Sequence, residues 1–242
     1  MDSITIVVPA YNEEQRLPAT LSALVSYLER SPGRAAEILV VDDGSSDATA
    51  AVVEDFARGH ASVRLLKNPG NRGKGYSVRH GMREAKGDWI LFTDADLSTP
   101  IEELDNLRAV AAQTGADIAI GSRALNRSLI SVHQSVFREN AGRIFNFVVR
   151  LLTGLPFHDT QCGFKLFTAA AARQVFPRQR LERFGFDVEV LFIAQRLGFH
   201  AVEVPVHWSH AEGTKVRMFG DSLNMFLDLF RVRWNHWRGR YD

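Results

Sequence analysis

An α/β fold with a mostly parallel sheet is what this chain of 242 residues predicts. Three observations predict it. Short β-branched apolar runs recur through the first half, a stretch with helical spacing follows each, and acidic residues gather where three of the runs end. Strands that alternate with helices form βαβ units, whose strands lie parallel.

The elements follow in order. Residues 4–9 (ITIVVP) read as a buried strand, uncharged and β-branched. Residues 17–29 carry helical spacing, with Pro18 suited to a first turn. Residues 37–41 form the second strand. Ser46 and Asp47 open a helix that runs to about Arg58, with Ser46 as the cap. Residues 63–67 make the third strand, 68–75 a loop, and a helix continues to about Ala85. Residues 89–93 are the fourth strand, 102–114 a helix, and 117–122 the fifth strand. Beyond Arg123 the rhythm changes. A long helix is expected over 131–153, a loop and short strand over 159–167, and helices over 169–176 and 187–197. A strand over 200–206 and a final amphipathic helix over 219–237 complete the chain.

Bulk properties narrow the function classes. The chain is 45% hydrophobic and 24% charged, an ordinary globular mixture. A net charge of +1 gives no global pull toward nucleic acid. With Cys162 as the single cysteine, no internal disulfide can form, which fits a reducing compartment. The N-terminus lacks a signal-peptide pattern, and no apolar run reaches the roughly 18 residues of a membrane span. The expectation is a soluble or membrane-surface protein.

The chemistry sits where strands end. Asp94 and Asp96 stand two apart after the fourth strand, where strand geometry would point both the same way. Crowded carboxylates repel unless a cation sits between them. Mg²⁺ bridges such groups to substrate phosphates, so the pair points to a metal-diphosphate site. Glu13 and Glu14 follow the first strand, and Asp42 and Asp43 end the second. In a parallel sheet these ends converge on one edge, where ligands bind. Helix capping is the competing reading and suits Asp47 and part of the Glu13/Glu14 pair.

The loop 68–75 (NPGNRGKG) is basic and opens a helix, so its amides, Arg72 and Lys74 suit an anion. It matches neither the Walker spacing nor a dinucleotide fingerprint. Arg123, Arg138, Arg143, Lys165, Lys215 and Arg217 supply more cations than one diphosphate requires, which points to a second phosphate. His207 and His210 lack companions for a zinc site, and Cys162 reads as a packed thiol. The last helix carries Phe219, Leu223, Phe226, Phe230, Trp234 and Trp237 in one stripe, flanked by Arg231, Arg233, Arg238 and Arg240. That pattern suits a membrane-surface helix or a core-packed one.

Taken together, IVVPAYNEE at 6–14, VVDDGSSD at 40–47, NRGKG at 71–75, TDADL at 93–97 and GSR at 121–123 resemble family-two glycosyltransferases of the GT-A fold. The segments 159–167 (DTQCGFKLF) and 186–191 (FDVEVL) are similar to dolichyl-phosphate β-glucosyltransferases and their polyprenyl-phosphate relatives. The resemblance implies a Rossmann-like, mostly parallel sheet flanked by helices, with a C-terminal amphipathic helix. It implies one domain, with a nucleotide-sugar half over 1–123, an acceptor half over 124–218 and a membrane-surface helix over 219–242. Pro9, Tyr11, Glu13, Asp42, Asp43, Lys74 and Ala95 would line the donor pocket. Asp94 and Asp96 would hold Mg²⁺ or Mn²⁺ on the donor diphosphate. Arg123, Arg138, Arg143, Lys215 and Arg217 would meet the acceptor phosphate, and Asp96, Asp159, Asp187 and Arg123 would carry catalysis.

The implied reaction is inverting transfer of a hexose, glucose from UDP-glucose, to a polyprenyl or dolichyl phosphate. The implied place is the cytoplasmic face of a membrane, held peripherally. Eukaryotic members of the group carry an N-terminal membrane anchor; this chain starts at its first strand, which shifts weight to the last helix. A phosphate monoester, with a second pKa of about 6, is already largely ionised at neutral pH, so a base is less necessary. Asp159 and Asp187 are the two candidates if one is used. Mannosyl or N-acetylhexosaminyl transfer from GDP-mannose or a UDP-N-acetylhexosamine uses the same site. Nucleotidyl transfer and non-catalytic binding are the alternative classes.

Overall fold

A computed structural model describes residues 2–30, 36–132, 136–210 and 218–242, with side chains described at 140–210 and from 223 onward in the second half. Nine strands and eight α-helices occur among them. The strands are β1 (Ile4–Ala10), β2 (Ala36–Asp42), β3 (Val63–Lys67), β4 (Trp89–Thr93), β5 (Ile118–Ser122), β6 (Ile130–Val132), β7 (Phe164–Thr168), β8 (Ala201–Pro205) and β9 (Trp208–Ser209). The helices are α1 (Leu17–Glu29), α2 (Thr49–Gly59), α3 (Lys74–Glu84), α4 (Glu103–Thr114), α5 (Val136–Thr153), α6 (Ala169–Val175), α7 (Phe186–Arg196) and α8 (Met218–Trp237).

Seven strands form one sheet in the order β3-β2-β1-β4-β7-β5-β8. β1 pairs in parallel with β2 and β4, β2 with β3, and β5 with β8. Only β7 runs antiparallel, between β4 and β5. The expected mostly parallel sheet is therefore present. β7 and β8 come from the second half of the chain, so both halves build one sheet.

β1 is buried along its full length, as a central parallel strand covered on both faces requires. Its side chains alternate between two cores. Val7, Val41 and Phe92 face Val78 and Met82 of α3, Val188 and Phe192 of α7, and Leu229 and Val232 of α8. Ile6, Val8 and Val40 face Leu17, Leu21 and Leu24 of α1, Val53 of α2, and Leu104 and Leu107 of α4. The sheet is a middle layer, and α8 belongs to the first core.

Two expected boundaries move. The helix over 131–153 begins only at Val136, because Ile130 and Val132 pair with Trp208 and Ser209 as a small second sheet. The helix after β2 starts at Thr49, without a side-chain cap from Ser46. Ser45 and Ser46 instead hold the first loop: Asn12 donates its amide to Ser45 Oγ at 2.9 Å, and Ser46 donates its amide to Asn12 Oδ1 at 2.8 Å.

Candidate active site

The carboxyl ends of β1, β2 and β4 lie side by side on one edge, as the parallel pairing demands. Asp94 and Asp96 stand beyond the last residue of β4, in a turn that closes with Leu97 at φ 44°. Strand alternation therefore does not orient them. Ala95 does: its side chain is buried and its carbonyl accepts from Thr20 Oγ1 at 2.6 Å. With Ala95 pinned inward, the carboxylates on either side of it reach the edge.

Lys74, the first residue of α3, meets Asp94 at 2.6 Å. Desolvation of its ammonium is opposed by Asp94, Asp187 and Asp96, and the balance raises its pKa. One lysine thus pairs with Asp94 and feels the charge of two further carboxylates, Asp96 in the same turn and Asp187 on α7. Gly163 passes so close that a Cβ there would stand 2.1 Å from Asp94 Oδ2, so only glycine leaves room for this carboxylate. Asp187, at the start of α7, accepts from Lys165 Nζ at 2.5 Å. Both are buried, and burial pushes the Asp187 carboxyl upward against the pull of Lys165 and Lys74.

The loop before α3 departs from the expected anion cradle. Asp43, buried, accepts from the amides of Arg72 at 3.0 Å and Gly73 at 2.7 Å and from Asn68 Nδ2 at 2.8 Å. Arg72 donates to Glu182 at 3.0 Å. Those amides and that guanidinium serve the loop's own shape, which leaves Lys74 as its cation at the acidic edge. Asp42 accepts the Ser45 amide at 3.1 Å. Glu14 accepts the Ala48 amide at 2.8 Å, beside α2 rather than the helix that follows it, α1 has no side-chain cap, and Glu13 bonds Arg16 at 3.2 Å. Pro9 is buried in β1 and Tyr11 is exposed at its end.

Asp159 is not a free base. Arg123 grips it in a bidentate pair at 2.7 and 2.8 Å and adds its own amide at 3.0 Å. That pairing outweighs burial and holds the carboxyl at about 2, too acidic to take a proton at neutral pH. Asp159 and Asp94 in turn raise the Arg123 guanidinium. Arg123 also lies over the Trp208 ring, 5.5 Å from its centre.

Beside Arg123 opens a cavity of about 350 Å³. Arg127, Arg143 and Arg150 join Arg123 in its wall, with His158, Phe147 and Trp208. Of the acceptor cations expected from sequence, Arg123 and Arg143 meet here. The Arg138 side chain, Lys215 and Arg217 lie outside the described residues. Arg127, Arg150, His158 and Trp208 escaped the sequence reading, because no local pattern links them. The one signal was arginine recurring on α5 with helical spacing, at 143 and 150.

Hard oxygen ligands suit Mg²⁺ or Mn²⁺. Asp96 accepts the Ser98 amide through Oδ1, and Asp94 already accepts a cation in Lys74. Among the described residues no three His, Cys, Asp or Glu cluster as a metal site. The protein thus offers two carboxylates, the number Mg²⁺ takes when substrate phosphates and water complete its shell. Cys162 is buried, and desolvation pushes its thiol to about 11, as for a packed cysteine.

A helix-flanked, mostly parallel sheet with carboxylates on its carboxyl edge is the arrangement of GT-A glycosyltransferases. Solved structures share the architecture. One is glucosyl-3-phosphoglycerate synthase from Mycobacterium tuberculosis with Mn²⁺, UDP and glucosyl-3-phosphoglycerate: TM-score 0.68 at 17% identity, covering 96% of this chain and 78% of that one. Mannosyl-3-phosphoglycerate synthase from Rubrobacter xylanophilus gives 0.70 at 18%, covering 99% and 76%. The chain belongs to glycosyl transferase family 2, whose model matches residues 5–176. Dolichyl-phosphate beta-glucosyltransferase of Drosophila melanogaster is 40% identical over 95% of this chain and 74% of its own length. The human protein of that name is 37% identical over 98% and 77%.

Proposed function

We propose that this enzyme transfers glucose from UDP-glucose to a dolichyl or polyprenyl phosphate, with inversion at the anomeric carbon. The relatives' names supply the reaction, and the contiguity of two charged regions supports it. Arg123 follows β5, whose carboxyl end lies on the same edge of the sheet as that of β4, and it lines the arginine cavity. A donor diphosphate and an acceptor phosphate would lie on either side of that residue.

On the donor side, Asp94 and Asp96 would hold Mg²⁺ or Mn²⁺, which supplies charge neutralisation to the departing diphosphate. Lys74, paired with Asp94 at the same edge, would add a positive charge toward the diphosphate. Pro9, Tyr11, Glu13, Asp42, Asp43 and Ala95 shape the nucleotide pocket. Asp187, held by Lys165, sets the position of Lys74 and offers an acceptor to a sugar hydroxyl.

On the acceptor side, Arg143, Arg127 and Arg150 take the phosphate, with Arg138, Lys215 and Arg217 adding charge. Asp159 fixes the Arg123 guanidinium rather than removing a proton. An ionised phosphate needs orientation more than deprotonation, so positioned cations carry this half of the reaction.

The lipid places the reaction at a membrane. Leu223, Phe226, Phe230, Trp234 and Trp237 of α8 are exposed, whereas Leu229 and Val232 fill its core face. The aromatic stripe therefore does not pack inside, and with Arg233 and Arg238 it suits peripheral attachment to the cytoplasmic surface. No described helix is long and apolar enough to cross a membrane. Incubation with UDP-glucose, GDP-mannose or UDP-N-acetylglucosamine, Mn²⁺ and dolichyl phosphate tests the reading. Glucosyl lipid from UDP-glucose supports it; mannosyl lipid alone, or nucleotide release indifferent to the lipid, overturns it.

A further inference from the structure

The buried carboxylate of Glu189 lies outside the machinery described so far. It sits on α7, one turn past the start of that helix, and is fully buried. One oxygen accepts the Tyr241 hydroxyl at 2.6 Å. The other accepts the backbone amides of Arg180 at 2.9 Å and Leu181 at 2.7 Å. Glu189 thus ties the end of the chain to the strap over residues 179–182.

That strap lies against the loop that presents Lys74. Tyr76 donates its amide to the Glu182 carbonyl at 3.0 Å. Gln179 Nε2 donates to the carbonyls of Gly75 and Leu181, both at 2.8 Å. The approach is close enough to exclude any side chain. A Cβ on Gly73 would stand 2.5 Å from the Glu182 carbonyl oxygen, and one on Gly75 would stand 2.7 Å from that of Leu181. Lys74 lies between these glycines and reaches Asp94.

The tail is fastened by more than one bond. Arg178 Nε donates to the Tyr241 carbonyl at 2.9 Å, and Arg240 bonds Asn235 at 3.1 Å. Asp228 of α8 packs against Gly185, where a Cβ would meet its carboxylate at 2.4 Å. α8 therefore meets the residue that opens α7 through Asp228, and the tail beyond α8 meets α7 again through Tyr241.

We infer that Tyr241 and Glu189 are positioning residues of the donor site: the C-terminal tail, through the 179–182 strap, sets the height of Lys74 above Asp94. The proposal rests on the donor reading of Lys74 and Asp94. It makes the helix that carries the exposed aromatic stripe part of the nucleotide site. Buried polar networks that are fully satisfied rigidify the parts they join, so the tail, the strap and the Lys74 loop are held as one unit.

The test is calorimetric binding of UDP-glucose with Mn²⁺ to the full chain, with KM and kcat measured beside it. Tyr241→Phe removes one oxygen and keeps the ring. It is expected to raise the dissociation constant and donor KM roughly five-fold, the worth of one buried hydrogen bond, with kcat near its original value. Glu189→Gln, which loses an acceptor for the strap, should raise them further. Leu107→Ala, on the opposite core face, is the stability control: it lowers Tm and leaves donor affinity unchanged. If Tyr241→Phe behaves like Leu107→Ala, the coupling is wrong even if Glu189→Gln fails to fold. Lys74→Ala separates the two ideas. Unchanged nucleotide binding in that variant removes the donor reading and the coupling with it, whereas lost binding there with an inert Tyr241→Phe overturns the coupling alone.

Discussion

Lys74 meets Asp94 at 2.6 Å across the carboxyl edge of the sheet, and Gly163 leaves room for that carboxylate where it stands. A methyl group at 163 would collide with Asp94 Oδ2 at 2.1 Å, so the carboxylate must turn away. Gly163→Ala should cost roughly a hundred-fold or more in kcat/KM, comparable to loss of a preorganised electrostatic group. Circular dichroism should show the fold retained. Wild-type turnover in this variant would remove Asp94 from the site.

Asp96 bonds only the local amide of Ser98 among its described hydrogen bonds. Asp96→Ala should therefore abolish transfer with little loss of Tm. Asp96→Asn should keep the turn and still lose Mn²⁺-dependent binding of UDP-glucose. Metal-dependent binding that survives both changes would place the cation elsewhere.

The Arg123–Asp159 pair makes a pH prediction. Asp159 is held at about 2, below an ordinary carboxyl near 4. A depressed carboxyl lends stability above its unfolded pKa and loses it as pH falls through the folded value. The contribution, on the order of 2 kcal/mol, should be complete at neutral pH and vanish between about pH 4 and 2. Thermal melts across that range should show a slope that Asp159→Asn flattens. An identical slope in both proteins would mean the pair forms equally in the unfolded chain.

Arg143 and Arg150 line the cavity beside Arg123 and are exposed on α5. The double change Arg143→Ala with Arg150→Ala should raise KM for dolichyl phosphate at least ten-fold, each charged contact being worth about 1 kcal/mol or more. Donor KM should stay within two-fold of wild type by the same scale. A defect confined to the donor would contradict the acceptor assignment.

Trp234 and Trp237 are half and three-quarters exposed at the end of α8. Replacing both by serine should weaken association with vesicles of mixed neutral and anionic lipid roughly a hundred-fold or more, since each buried indole is worth about 2 kcal/mol. Sedimentation of vesicles with bound protein reads this directly. Undiminished binding would move the membrane contact to another face.

Most of the elements were legible in the sequence because their signals are local. β-branched runs with helical stretches between them specify β1 to β5 and α1 to α4 within a residue or a few. The convergence of Glu13, Asp43 and Asp94 on one edge followed from parallel order alone. What failed locally was decided by distant partners. Ser131 and Val132 leave the predicted helix because Trp208 and Ser209 offer a strand to pair with. The amides of the 68–75 loop were expected to meet an anion, yet Asp43 reaches them first. Asp159 was one of two candidates should a base be used, and Arg123, 36 residues earlier, closes on it.

Sequence therefore determined the layers, the acidic edge and the family. Tertiary structure alone decided which charges are spent on one another, which arginines share a cavity, and that the last tyrosine braces the loop of Lys74. Periodicity and motif spacing act within a few turns of chain. Ion pairing, burial and hydrogen bonding depend on separations in space that only the folded sheet creates.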